Sequence, residues 1–220
     1  MVRAGLTAER VVAAAADLAD SIGFDQVTVS AVARGFGVKD ASLYGHVGGL
    51  QDLRTRVALL AAGEFADRLS EAVAGRAGRD ALVGFAYAYR AFALEHPGRY
   101  QATQMKIDPV IAQESSAFRR TVSTIYAMMR AYRLTEPALT DAVRMLRSTL
   151  HGFSDLEADG AFRADRDVEA SWERTVEALH LVLENWPVGP DPEGGSATEK
   201  EDEAKGDGRA DRHADDGRNH

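Results

Sequence analysis

The side chains best suited to grip a polyanion collect in one short stretch near the N-terminus: Thr28, Tyr44 and His46, with Lys39, Asp40, Ala41 and Ser42 between them. A tyrosine hydroxyl and an imidazole N–H can each donate to a phosphate oxygen, and a threonine at a helix N-terminus can do the same. Such contacts position a nucleic acid without reading its sequence. The bland alternatives are that Tyr44 is a half-buried ring bracing its surroundings and that His46 belongs to a core. Catalytic chemistry has a weaker footing. His96, His151, Asp155 and Glu157 are the residues an enzyme would use, but no HExxH, paired-His spacing, Gly-rich phosphate loop or nucleophile elbow accompanies them. Ser148, His151 and Ser154 fall on one helix, too close in sequence to make a triad. No enzyme, cofactor or metal is expected.

The phosphate-gripping residues sit on elements with a clear pattern. Thr28 is placed to cap a helix whose buried side carries Val29, Val32 and Ala33 and which stops near Phe36. Gly37 supplies the positive φ of a sharp turn, and Val38 plugs that turn into a core. Lys39, Asp40 and Ser42 then open a second helix with Leu43, Tyr44, His46 and Val47. Two short helices and a tight turn are helix-turn-helix grammar. A preceding helix should start at Thr7, with Leu6 and Val11 as a hydrophobic staple and Val11, Ala15, Leu18 and Ile22 as its apolar stripe, and end at Gly23.

The order Thr28-Val-Ser-Ala-Val-Ala, then Phe36-Gly-Val-Lys-Asp-Ala-Ser-Leu-Tyr44-Gly-His46-Val, then Leu50-Gln-Asp-Leu53, resembles the N-terminal domain of the TetR (tetracycline repressor) family of bacterial regulators. The Leu-Tyr-x-His-Val element is its most specific part. The Glu95-His-Pro-Gly-Arg-Tyr100 and Leu150-His-Gly-Phe153 runs are similar to the ligand-binding half of one subgroup, whose signature has Trp where this chain has Leu150. The resemblance implies an all-α fold, a three-helix DNA-binding head and a larger helical domain for ligand binding and dimerisation. It places Lys39, Asp40, Ala41 and Ser42 beside base edges in the major groove, and Thr28, Tyr44 and His46 on phosphates. Two positions depart from it. The family's usual phosphate-gripping Lys is Leu50 here, and the often large or basic residue between Tyr44 and His46 is Gly45. Weaker binding follows, unless Arg3, Arg54 or Arg56 compensates or the backbone N–H groups that open the next helix hold a phosphate.

Composition fits an intracellular helical protein and sets limits. The 220 residues carry a net charge of −8 and no Cys, which removes disulfides and thiolate metal sites. No apolar run approaches the ~20 residues of a membrane span, so we expect a cytoplasmic protein with no membrane partner. A negative balance argues against a non-specific nucleic-acid coat, not against a sequence reader. Residues 1–60 hold six basic and six acidic side chains, which implies modest phosphate affinity unless the cations share one face.

Beyond the head, Leu50, Leu53, Val57, Leu60, Phe65, Leu69 and Val73 suggest a long connecting helix to about Ala74. A helix with Leu82, Phe85, Tyr89, Phe92 and His96 on one face follows, ended by His96-Pro97-Gly98. A short helix is expected near Arg99 to Lys106, then one from Asp108-Pro109 to about Arg133. Phe85, Tyr89, Phe92, His96, Tyr100, Met105, Phe118, Met128 and His151 are the candidates to line a mostly apolar pocket for a small apolar or amphipathic effector. For each singly, ordinary core is the competing reading. Gly152 inside a helix hints at close helix approach or room for a ligand.

Leu139, Leu146 and Phe153 with Val143 and Leu150, and Trp172, Leu179 and Trp186 with Val176 and Leu183, repeat every seven residues. Two such stripes suit a four-helix bundle made by two copies of the chain, through helices near 136–157 and 168–186. The alternative is that both stripes face the chain's own core. The resemblance favours the homodimer. From Val188 the composition reads as a disordered acidic tail with ten Asp/Glu and five Lys/Arg. The expected layout is a helix-turn-helix head (1–50), an effector-binding and dimerisation domain (51–187) and the tail (188–220). The function expected is a transcriptional regulator, a repressor in the simplest case, binding double-stranded DNA at a pseudo-palindrome and released by its effector. The alternative is a ligand-binding helical dimer that has lost DNA binding.

Overall fold

The structure, a computed structural model, describes residues 5–187; Arg3 and the acidic segment from 188 lie outside them. Helices account for all the regular structure among the described residues. The first, α1 (Ala8–Ile22), begins where Thr7 Oγ1 accepts the Arg10 N–H at 3.3 Å and ends at Gly23, φ 89°. After a 3₁₀ turn at Phe24–Gln26 comes α2 (Val29–Phe36), capped by Thr28 Oγ1 on the Ala31 N–H and closed by Gly37 in the left-handed region at φ 66°.

The second short helix is not formed as the sequence suggested. A 3₁₀ turn spans Asp40–Ser42 and hydrogen-bonded turns follow to His46, with only the Val47 N–H reaching back four residues, to the Leu43 carbonyl at 3.0 Å. Gly45, Gly48 and Gly49 explain the shortfall, because each costs about 1 kcal/mol in a helix relative to Ala. The element is held by its side chains instead. Leu43 and Val47 are 0% and 2% exposed, and burying a residue such as Leu43 contributes roughly 1.5–3 kcal/mol.

The connecting helix α3 (Leu50–Val73) runs as expected, and α4 (Gly78–Glu95) buries Leu82, Phe85, Tyr89 and Phe92. Pro97 does more than stop α4. It opens α5 (Pro97–Thr103) from its first position, two residues ahead of the expected start, because its missing N–H has no partner to lose there. Asp108 caps α6 (Pro109–Glu114) through the Val110 N–H at 2.8 Å. Ser115, with ψ 118°, then breaks the single expected helix, and α7 (Ser116–Met129) restarts after it and ends in a 3₁₀ turn at Arg130–Tyr132. The last two helices are α8 (Ala138–Ala158) and α9 (Val168–Glu184). No helix among the described residues is long and apolar enough to cross a membrane.

Two apolar cores share α3. The head core joins Val11, Ala15, Phe24, Val27, Val32, Leu43 and Val47 to Leu53, Val57 and Ala61 of α3 and to Ala102 of α5. The body core joins Phe65 and Leu69 of α3 to α4, α5, α7, α8 and α9. Here the seven-residue stripes find their place. Leu146, Leu150, Trp172, Val176, Leu179 and Leu183 are all buried within the one chain, and Leu139, Val143, Phe153 and Trp186 pack against the same core. The stripes therefore do not argue for a second copy. The large apolar residues that α8 and α9 leave exposed are Leu156, Leu181 and Val182.

Arg90 stitches three of these helices. Its guanidinium holds Glu157 of α8 with two bonds of 2.6 Å, reaches Glu169 of α9 at 2.5 Å, and lies 5.4 Å from the Trp172 ring centroid. Gly152, by contrast, has no atom within 4 Å of where a Cβ would stand, so no helix approaches it closely. The tight crossing glycines are Gly84, against the Ala72 carbonyl, and Gly98, against Ala19.

Candidate functional site

On the head, Thr28, Lys39, Asp40, Ala41, Ser42 and Tyr44 are exposed and His46 is half-buried. They share one short surface because α2 and the following turn are pinned from below by Val32, Leu43 and Val47. Tyr44 is 59% exposed, so it does not brace the two elements and its hydroxyl is open to a partner. Thr28 Oγ accepts the Ala31 N–H at 3.1 Å, which leaves its own proton to donate. Asp40 is tied back to α2, its carboxylate accepting the Ser30 hydroxyl, and so it fixes the turn on α2. Ser30 is a residue the sequence reading missed. Arg34 and Lys39 are exposed cations without a side-chain partner among the described residues.

The expected compensation for Leu50 and Gly45 is only partly available. Arg54 turns inward, donating to the Asp25 carbonyl at 2.7 Å with its guanidinium 5.8 Å from the Phe24 ring centroid, and so braces the head from within. Arg56 pairs with Asp52 at 2.9 Å but stays 43% exposed. Asp52 also accepts the Gly48 N–H at 2.7 Å, so one of the amides leading into α3 is already satisfied by a carboxylate. The Arg56 hydrogen bond holds that carboxyl below the usual Asp range. Nearby Glu9 is held low by backbone and Thr7 hydrogen bonds at the start of α1, and also feels Arg56 and His46.

In the body, Phe85, Tyr89, Phe92, Tyr100 and Met128 do share one core, in which Tyr89, Phe92 and Tyr100 pack on Phe65 and Phe85 packs on Tyr89. His151 joins them from α8. Tyr89 and Tyr100 hydroxyls are 2.8 Å apart, and the Tyr100 hydroxyl lies 2.6 Å from His151 Nδ1. One consistent hydrogen-bond order has Tyr89 donating to Tyr100 and Tyr100 donating to His151 Nδ1. Burial pushes both phenols above their ordinary pKa, so they remain hydroxyls. Three candidates fall elsewhere. Met105 packs against the head core with Ile107. His96 faces Asp20 at 3.2 Å, because Pro97 turns the chain there towards α1. Phe118 is half-buried on α7 outside the body core. The cluster itself is closely packed, with Phe85, Tyr89, Phe92, Tyr100 and Met128 each 5% exposed or less. A groove of about 490 Å³ lies apart from it, between α4 and α9, lined by Arg79, Val83, Tyr87, Glu173, Arg174 and Glu177. The residues an enzyme would use have separate partners: His96 is paired with Asp20, His151 with Tyr100 and Glu157 with Arg90.

A small head that presents polar side chains on a pinned turn, joined by one long helix to a larger helical body, is the build of a DNA-binding regulator. Comparison with known proteins agrees. Residues 82–179 match the family model of the tetracyclin repressor-like C-terminal domain. The chain is 34% identical to the uncharacterized HTH-type transcriptional regulator YobS of Bacillus subtilis over 166 residues, which is 76% of this chain and 86% of that protein. It is 36% identical over 182 residues to the uncharacterized HTH-type transcriptional regulator Rv0681 of Mycobacterium tuberculosis, 82% of this chain and 83% of that one. Among solved structures, a TetR variant from Acinetobacter baumannii in complex with minocycline shares the fold at a TM-score of 0.63 and 20% identity, over 82% of this chain and 98% of that chain. The chain belongs to the TetR family of transcriptional regulators. It is a regulator and not an enzyme.

Proposed function

We propose that the protein binds a pseudo-palindromic operator as a homodimer and is released from it by a small apolar or amphipathic effector, acting as a cytoplasmic repressor. The observation that carries this reading is the 39–46 turn. Lys39, Ala41, Ser42 and Tyr44 point to solvent while Leu43 and Val47 anchor the same nine-residue stretch, 39–47, in the head core. In this reading Lys39, Ala41 and Ser42 meet base edges, Asp40 sets the turn, and Thr28, Tyr44 and His46 hold phosphates. Residues 1–50 are the reading head and 51–187 the effector-binding and dimerisation domain.

The pairing surface in this reading is the outer side of α8 and α9, where Leu156, Leu181 and Val182 are exposed at 48%, 51% and 41%. The effector site is the Tyr89–Tyr100–His151 chain with its ring cluster, which a ligand has to open. That a neighbour of the same fold holds minocycline supports a ligand-responsive body. Release obeys linkage: a hundredfold loss of operator affinity needs about 2.7 kcal/mol of effector preference for the non-binding conformation.

Selection of sites from a random duplex library tests the reading. An enriched inverted repeat is the expected result. No enrichment, with the dimer intact, favours a ligand-binding dimer without DNA function, an outcome towards which Leu50, the inward Arg54 and the Asp52–Gly48 bond all lean.

A further inference from the structure

The seven residues of α5 serve both cores at once, and neighbouring residues face opposite ways. Gly98 lies on α1 so closely that a Cβ would stand 2.1 Å from both the carbonyl carbon and oxygen of Ala19. Arg99, its side chain 11% exposed, gathers three carboxylates. It donates to Asp17 at 2.6 Å and to Asp20, and its Nε lies 2.9 Å from Glu64 of α3. The Arg99 backbone N–H also donates to Asp20 at 2.8 Å. Gln101 accepts the Phe24 N–H at 3.0 Å, and Ala102 is part of the head core. Between them, Tyr100 turns the other way, into the body core, where its hydroxyl meets Tyr89 and His151.

We propose that Arg99 is a positioning residue that fixes the angle of the head on the body, so that the spacing of operator half-sites is set at α5 as well as at the dimer interface. The inference rests on the operator-binding reading above. Its physical basis is the charge balance at the bracket. Without the guanidinium, Asp17, Asp20 and Glu64 repel one another across α1 and α3, and the side-chain ties left between this turn and the head are the Gln101 bonds to Phe24 and Asp25 and the His96–Asp20 contact. Lysine restores the charge but not the planar fork that reaches three partners at once. Because Tyr100 adjoins Arg99, a ligand that breaks the tyrosine–histidine chain acts on the same bracket, which gives the body a route to α1 that does not pass along α3.

The test runs the full-length parent, Arg99→Gln and Arg99→Lys through the random-duplex selection, scoring half-site sequence and spacer length separately. We expect all three to select the same half-site. The Gln variant should accept spacers at least one base pair longer and shorter, a step of about 3.4 Å each, with Lys intermediate. A Gln variant that keeps the parental spacer, or that alters the half-site and not the spacer, overturns the proposal. Failure of the parent to select any repeat refutes the operator reading instead. Hydrogen exchange on the DNA-free protein then decides for the bracket. Amides of α1 should exchange roughly tenfold faster in the Gln variant while those of α8 hold their rates, and unchanged α1 exchange refutes it. If Arg99→Gln does not fold, Arg99→Lys carries the test, read on the same two outcomes: a parental spacer or unchanged α1 exchange in that variant refutes the proposal.

Discussion

Replacing Gly98 by alanine sets a methyl carbon 2.1 Å from the carbonyl carbon and oxygen of Ala19 and 2.5 Å from the amide nitrogen of Asp20. Carbon atoms in van der Waals contact stand about 3.5–4.0 Å apart, so α5 and α1 have to separate by roughly 1.5 Å. The obstructing atoms are backbone and cannot rotate aside. Overpacking costs about 1–3 kcal/mol, and three backbone clashes with no soft neighbour put this one near ~3 kcal/mol. The separation also stretches the Arg99 bonds to Asp17 and Asp20. For a folded region of this size each kcal/mol moves Tm by about 2–4 °C, which predicts a drop of about 6–12 °C. Gly152→Ala is the matched control: it lies inside α8 with nothing within 4 Å of the new methyl, so it should gain about 1 kcal/mol of helix propensity. Thermal melts followed by far-UV circular dichroism compare the two. A Gly98→Ala melt within 2 °C of the parent by rough measure, or a Gly152→Ala loss of the same size, refutes the packing argument.

Arg90→Met leaves Glu157, 16% exposed, without its partner and should cost about 3 kcal/mol in denaturant unfolding, whereas Glu169→Gln, at a side chain 47% exposed, should cost under about 1 kcal/mol. Leu50→Lys, at a surface position, should tighten binding to any duplex and steepen the log-log salt dependence by about 0.9, one added phosphate contact; a titration against random-sequence DNA reads both. Acid should weaken the fold in a defined window. The carboxyls of Asp52, Glu95 and Glu169 are held below their ordinary range by hydrogen bonds from Arg56, Arg68 and Arg90. Their folded-state pKa values are depressed, so their contribution is complete above the unfolded values near 4 and disappears as pH falls through the folded ones. Tm should thus hold between about pH 7 and 5 and decline below about pH 4; a decline already between 7 and 5 contradicts this.

What the sequence made legible was local. Thr7 and Thr28 cap their helices and Gly37 takes its positive φ because such signals depend on a few adjacent residues. The apolar periods of α3 and α4 gave both helices for the same reason. The turn from Lys39 to His46 was overread as a helix, since leucine and valine at helical spacing outweighed Gly45, which stops the hydrogen-bond ladder. A seven-residue stripe states that a face is apolar but not whose core it meets, and Leu146, Leu150, Trp172 and Leu183 meet their own. Residue type misled at His96 and Met105, suited to a pocket but carried by the Pro97 turn and by the loop after α5 towards the head. Arg54 inside the head and Gly98 against Ala19 are tertiary facts with no local signature, whereas Gly152, conspicuous in the sequence, packs against nothing.

The central claim is that the exposed turn after α2 reads DNA while its neighbours hold the backbone. It is tested most directly by measuring the affinity of the parent, Lys39→Ala and Tyr44→Phe for the selected operator and for its single-base variants. Lys39→Ala should lose about 1–3 kcal/mol on the selected site and relax preference at one position in each half-site. Tyr44→Phe should weaken binding evenly across all variants, as the loss of a phosphate contact does. Unchanged affinity and unchanged base preference in both would contradict the account.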